Sequence, residues 1–149
     1  MHIVPDFELP ATGNQRFSSA AFRGYKYVLF FYPKDDTPGC TLEGTQFKQL
    51  HAEFLMAGTM VFGVSRDSIA SHERFKAKMS YPFDLLSDPD ETVCKLFDVI
   101  QEKSLYGRKY MGVDRSTFLM GPRNEILREW RSVKVDGHAA AVLAALKSV

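Results

Sequence analysis

The chain has 149 residues, 45% of them apolar and 25% charged, which is a globular composition long enough for one domain with its own core. Basic and acidic residues number 19 and 18, and the resulting net charge of +1 argues against a nucleic-acid binder. No apolar run reaches the ~20 residues of a bilayer span, and two cysteines, Cys40 and Cys94, are too few for a disulfide scaffold or a four-cysteine zinc site.

The opening Met1-His2-Ile3-Val4-Pro5-Asp6 lacks the basic and apolar regions of a signal peptide, so a cytoplasmic location is expected. Phe7-Glu8-Leu9 and Gln15-Arg16-Phe17, around Gly13-Asn14, suit a small N-terminal hairpin. Tyr27 to Tyr32 is a continuous apolar run between Gly24 and Pro33, the pattern of a central strand buried on both faces. Met60 to Ser65 reads as a second such strand. Between them Thr37 is placed to cap a helix and Pro38 to occupy its first position. Cys40, Glu43, Phe47, Leu50, Phe54 and Ala57 then recur at spacings of three and four, and Gly58 stops the helix. Strand, helix and strand make a βαβ unit, expected to be right-handed.

A second helix is predicted from about Ser68 to Met79 and a short extended segment from Phe83 to Leu86. Asp88-Pro89-Asp90-Glu91 predicts a third helix with Asp88 as its cap. Gln101 to Asp114 mixes charges, glycines and tyrosines and reads as loop. Ser116–Met120 and Glu125–Trp130 flank Gly121-Pro122-Arg123-Asn124, a hairpin turn, and a last helix is expected over roughly Gly137–Ser148. This order is that of an α/β thioredoxin-like fold: a central mixed sheet flanked by helices, in a single domain over 1–149.

Cys40 stands in the first turn of a helix that follows a strand. Free N–H groups and a partial positive charge there favour a thiolate. Pro33-Lys34-Asp35-Asp36-Thr37-Pro38-Gly39-Cys40 has the spacing Pro-x3-Thr-x2-Cys, which resembles the peroxidatic motif of the peroxiredoxins. The longer run Phe31 to Thr41 is similar to their bacterioferritin-comigratory-protein (BCP/PrxQ) branch. Val4-Pro5-Asp6-Phe7, Phe62-Gly63-Val64-Ser65, Ser87-Asp88-Pro89-Asp90, Tyr106-Gly107-Arg108 and Arg115-Ser116-Thr117-Phe118-Leu119 extend the resemblance over nearly the whole chain.

The resemblance implies a thiol-dependent peroxidase that reduces hydrogen peroxide and organic hydroperoxides. No cofactor is expected, and no metal either, since two distant cysteines and scattered histidines show no ligand spacing. Cys40 would be the nucleophile. Thr37 would bond the peroxide through its hydroxyl, Pro33 would shield the sulfur from water, and Arg115 would steady thiolate and peroxide. A strand starting at Arg115 and running antiparallel to Tyr27–Tyr32 would begin at the sheet edge where Cys40 sits. Glu43, one turn beyond Cys40, either pairs with Arg115 or tilts out to water.

Many members of this branch carry a resolving cysteine where this chain has Thr45, and others where it has Lys76. Cys94, beside Val93, Leu96 and Phe97, is the one internal candidate and reads as a core residue. No resolving cysteine is therefore expected. An external thiol, from thioredoxin or from glutathione with glutaredoxin, would do that work, and a monomer is expected. A cysteine hydrolase would need a histidine base, but His51 lies about 16 Å along the helix. His2, His72 and His138 read as surface residues that no motif joins to Cys40. A thioredoxin-type reductase would need Cys-x-x-Cys, and Thr37 stands where its first cysteine would be. A non-catalytic redox sensor of the same fold would differ by lacking rapid catalytic peroxide loss.

Overall fold

The Tyr27–Tyr32 run builds the strand on which everything else is assembled. The computed structural model describes residues 2–149, with Met1 outside them. The elements in chain order are β1 (Glu8–Ala11), β2 (Gln15–Ser18), a single 3-10 turn (Ser19–Phe22), β3 (Lys26–Phe31), α1 (Pro38–Met56), β4 (Thr59–Ser65) and α2 (Ile69–Met79). Then come β5 (Leu85–Ser87), α3 (Thr92–Leu96), β6 (Ile100–Leu105), β7 (Arg108–Val113), β8 (Ser116–Met120), β9 (Ile126–Trp130) and α4 (His138–Lys147).

Seven strands form one sheet in the order β2-β1-β5-β4-β3-β8-β9. β3, β4 and β5 run parallel, whereas β8 is antiparallel to β3 and β9 to β8, so the sheet is mixed as expected. The predicted N-terminal hairpin is present and joins this sheet where Ala11 of β1 pairs with Leu86 of β5.

Because side chains alternate along a strand, β3 feeds two separate cores. Val28 and Phe30 point to the face covered by α1, α2 and α4, among Cys40, Phe47, Phe54, Phe75 and Leu146. Leu29 and Phe31 point to the other face, among Phe7, Phe17, Cys94, Phe97 and Phe118. The two cysteines therefore lie on opposite sides of the sheet. Gly63 in β4 makes the first core possible. A Cβ there would come within 2.8 Å of both Phe30 Cζ and Leu85 Cδ2, from the two neighbouring strands.

Two expectations are corrected. Gln101–Asp114 is not loop: β6 and β7 pair over six residues on each side, closed by Tyr106 and Gly107, both at positive φ. That is the geometry of a tight hairpin turn. The hairpin is mostly solvent-exposed on both faces, so it shows no apolar alternation to read. Asp88 is not the N-cap residue of the third helix: the helix starts at Thr92, after Glu91 in a left-handed conformation, although Asp88 Oδ2 still accepts from the Cys94 N–H, a free donor of its first turn, at 2.7 Å.

Gly63→Ala should overpack the α1-side core, at a cost of about 1–3 kcal/mol. Urea denaturation checks this, and a stability within 0.5 kcal/mol of wild type (roughly the surface-substitution range) would contradict the packing described.

Candidate active site

β3 ends at the loop Tyr32–Thr37, which hands the chain to α1. Pro38 takes the first helical position as expected, so Cys40 is the third helical residue and its N–H precedes the first regular helical bond, from the Thr41 N–H to Thr37 C=O. Cys40 is 2% exposed. Thr37 occupies the N-cap position, yet its side chain caps nothing. Its Oγ1 donates to Lys34 C=O at 2.8 Å, which leaves the hydroxyl lone pairs open to a donor. Pro33 is half-buried at the start of this loop.

Arg115 immediately precedes β8, whose Ser116 is in register with Phe31 at the end of β3. Strand pairing thus delivers the guanidinium to the mouth of α1. Nη2 lies 3.5 Å from Cys40 Sγ, and Nη1 donates to Glu43 Oε1 at 2.7 Å. Gly39 leaves room for this approach, since a Cβ there would sit 3.0 Å from Nη2. Glu43 faces inward with no exposed surface, which settles its two open orientations in favour of Arg115. Burial works against the charge on Arg115, but Glu43 and then Cys40 outweigh it and raise the guanidinium pKa.

The reading of His72 and His138 as surface residues is overturned: both are buried, and only His2 and its kind of exposure fit that description. His138 opens α4 and packs edge-on against Phe47 and Trp130, with Nε2 at 2.7 Å from Thr117 Oγ1 and 4.0 Å from Glu43 Oε2. Glu43 Oε2 has no hydrogen-bond partner among the described residues. Burial pushes the Glu43 carboxyl up to about 7 against the pull of Arg115. Burial, and then Arg115, pushes His138 down to about 4. His72, on α2, binds Asp35 of the loop beside Thr37. The inward stripe His72, Phe75, Met79 was the signal that could have placed it.

Thr45 and Lys76 stand at the two alternative resolving positions. Thr45 is half-buried in α1, and Lys76 is paired with Asp84 at 2.7 Å. Cys94 is wholly buried; burial first and then Asp88 push its thiol far up.

The AhpC/TSA family model matches residues 1–128. Peroxiredoxin Bcp of Xanthomonas campestris pv. campestris is 50% identical over 143 residues, spanning 96% of this chain and 89% of that protein. Peroxiredoxin Bcp of Bacillus subtilis is 41% identical over 146 residues, spanning 98% and 93%. A solved structure of the Xanthomonas campestris bacterioferritin comigratory protein, from work on its alkyl peroxide reduction with a trapped intermediate and ligand complex, superposes with a TM-score of 0.91, at 49% identity over 95% of this chain and 90% of that one.

The Glu43–His138 pair generates a pH prediction. Folding raises the Glu43 pKa from 4.5 to about 7, so its contribution to stability falls as pH rises through that window. Folding lowers His138 from 6.5 to about 4, so its contribution rises with pH between those values. The two nearly cancel in the wild type. Relative to wild type, Glu43→Gln should gain stability with rising pH and His138→Gln should lose it, each by no more than about 1.4 kcal/mol per pH unit. Denaturation at pH 4.5 to 7 reads both, and slopes of the same sign would refute the pairing.

Proposed function

The chain belongs to the AhpC/TSA family and is a thiol-dependent peroxidase of the peroxiredoxin Bcp kind, and we propose that Cys40 is its peroxidatic nucleophile. The observation that carries this assignment is the Arg115 guanidinium, held by Glu43 and placed 3.5 Å from Sγ. A fixed cation beside the sulfur stabilises the thiolate and the charge that develops on the peroxide oxygens.

The thiolate attacks the distal oxygen of the hydroperoxide. A new S–O bond forms with the sulfur electron pair, the O–O bond breaks, and the leaving oxygen takes up a proton as water or alcohol. Cys40 is left as a sulfenic acid. Thr37 Oγ1, which spends its own proton on Lys34 C=O, accepts a hydrogen bond from the peroxide. Pro33 limits the access of water. Alkyl hydroperoxides join hydrogen peroxide as substrates, in line with the activity of the Xanthomonas campestris relative. The scheme uses no metal or cofactor, because sulfur itself supplies both electrons.

Resolution falls to an external thiol. It attacks the sulfenic sulfur, water leaves, and a mixed disulfide forms; a second thiol then releases the Cys40 thiolate by exchange. Supporting this are Thr45 and Lys76 at the resolving positions, and the sheet that lies between Cys40 and Cys94. A disulfide needs Cα atoms within about 7 Å. Thioredoxin, or glutathione with glutaredoxin, fits the role. We place the enzyme in the cytoplasm, where two unpaired cysteines stay reduced, as a monomer with one domain over 1–149.

Cys40→Ser should abolish peroxide consumption, and wild-type activity in that variant would sink the assignment. Arg115→Met should slow the peroxide step by about 10²–10³-fold in stopped-flow mixing, the range for losing one preorganised donor. Cys94→Ser should turn over at near wild-type rate under saturating reductant. If turnover collapses and peptide mapping joins Cys40 to Cys94, the enzyme resolves internally.

A further inference from the structure

Asp35 and His72 form a buried pair that the reaction above does not use. The His72 side chain has no exposed surface and that of Asp35 has 3%. His72 Nε2 lies 2.8 Å from Leu86 C=O, which only accepts, so Nε2 carries a hydrogen. Nδ1 lies 2.7 Å from Asp35 Oδ2, so a further proton is shared along that line. Ser71 Oγ donates to the same oxygen at 2.8 Å, and the Tyr32 hydroxyl donates to Oδ1 at 2.6 Å.

These bonds fasten the loop to α2 and, through His72, to β5. Ser71 and His72 belong to α2, Leu86 belongs to β5, and Tyr32, the first residue of the loop, braces Asp35 from within. The Asp35 N–H adds a bond to Asp67 Oδ2 at 2.9 Å, and Lys78 grips Asp36 at 2.8 Å. Asp36 sits at φ 60, in the left-handed region that aspartate tolerates better than most non-glycine residues. Asp35, Asp67 and His72 bring ligand-type atoms within 4.8 Å of one another, but each is already engaged in these bonds.

The consequence is a division of labour. Cys40 is fixed by α1 and Arg115, whereas Pro33 and Thr37 sit on the suspended loop. We propose that His72 is a positioning residue for peroxide reduction, acting through Asp35 to set the loop that presents Pro33 and Thr37 to the bound peroxide. Its loss leaves the sulfur in place and misplaces the groups that recognise and orient the substrate.

The test is a ratio of two second-order rate constants measured on the full chain: reaction of Cys40 with hydrogen peroxide, and its alkylation by iodoacetamide, which needs the sulfur but not the loop. Gln at 72 reaches as Nε2 does and forfeits the bond to Asp35, whereas Asn reaches as Nδ1 does and keeps it. His72→Gln should lower the peroxide-to-alkylation ratio by about tenfold or more, since misplacement by an ångström costs up to about 10²-fold. His72→Asn should restore it to within about threefold of wild type by the same reasoning. Equal effects on both reagents, or an Asn variant as impaired as the Gln variant, would overturn the proposal. Should His72→Gln not fold, Ser71→Ala decides, because it removes one bond to the same oxygen from a half-buried site. It should move the ratio in the same direction by a smaller factor, and an unchanged ratio would again overturn the proposal.

Discussion

One guanidinium serves two acceptors, and much of the chain is arranged to let it. Arg115 contacts Glu43 at 2.7 Å and Cys40 Sγ at 3.5 Å, on a site only 16% open at the arginine. Leaving a buried charge without its partner costs roughly 3–5 kcal/mol, so Glu43 and Arg115 hold each other in place. The β8–β3 register brings Arg115 to the helix mouth, the i to i+3 spacing of Cys40 and Glu43 puts both on one face of α1, and Gly39 clears the approach. Three separate local choices converge on a single planar group.

Behind it, Glu43 and His138 solve a second problem. Neither is comfortable as an ion in this core, and folding favours the neutral form of each. Burial drives both shifts, with Arg115 opposing the one at Glu43 and reinforcing the one at His138. The charge available to Arg115 therefore changes close to neutrality, which ties the electrostatics at the sulfur to a group on its far side.

What could be read from the chain follows from where physical signals are local. The β3 run, the α1 stripe, the Pro38 start and the Cys40 site were legible because each is written in consecutive or helically spaced residues. Arg115 was placed by the expected antiparallel strand. The β6–β7 hairpin was missed because strand recognition rests on one buried face, which it lacks. His72 and His138 were misplaced because a histidine is buried when partners distant in sequence satisfy its ring nitrogens, and Asp35 and Leu86 for His72, and Thr117 for His138, become neighbours only after folding. Thr37 shows the same limit in reverse: its position at the helix start was right, but its hydroxyl turns back to Lys34.

The β6–β7 ribbon stands apart from the seven-stranded sheet, so neither of its long edges is covered by another strand. Two-stranded ribbons are marginal by themselves, and this one leaves Leu105, Tyr106, Tyr110 and Met111 to solvent. Lys103, Arg108 and Lys109 along it supply the charges that discourage edge-to-edge association. Few buried side chains hold it, the condition under which a segment opens locally rather than with the core. Only Asp114 separates its last residue, Val113, from Arg115. A partner that clasped the ribbon would therefore hold the chain two residues from the guanidinium.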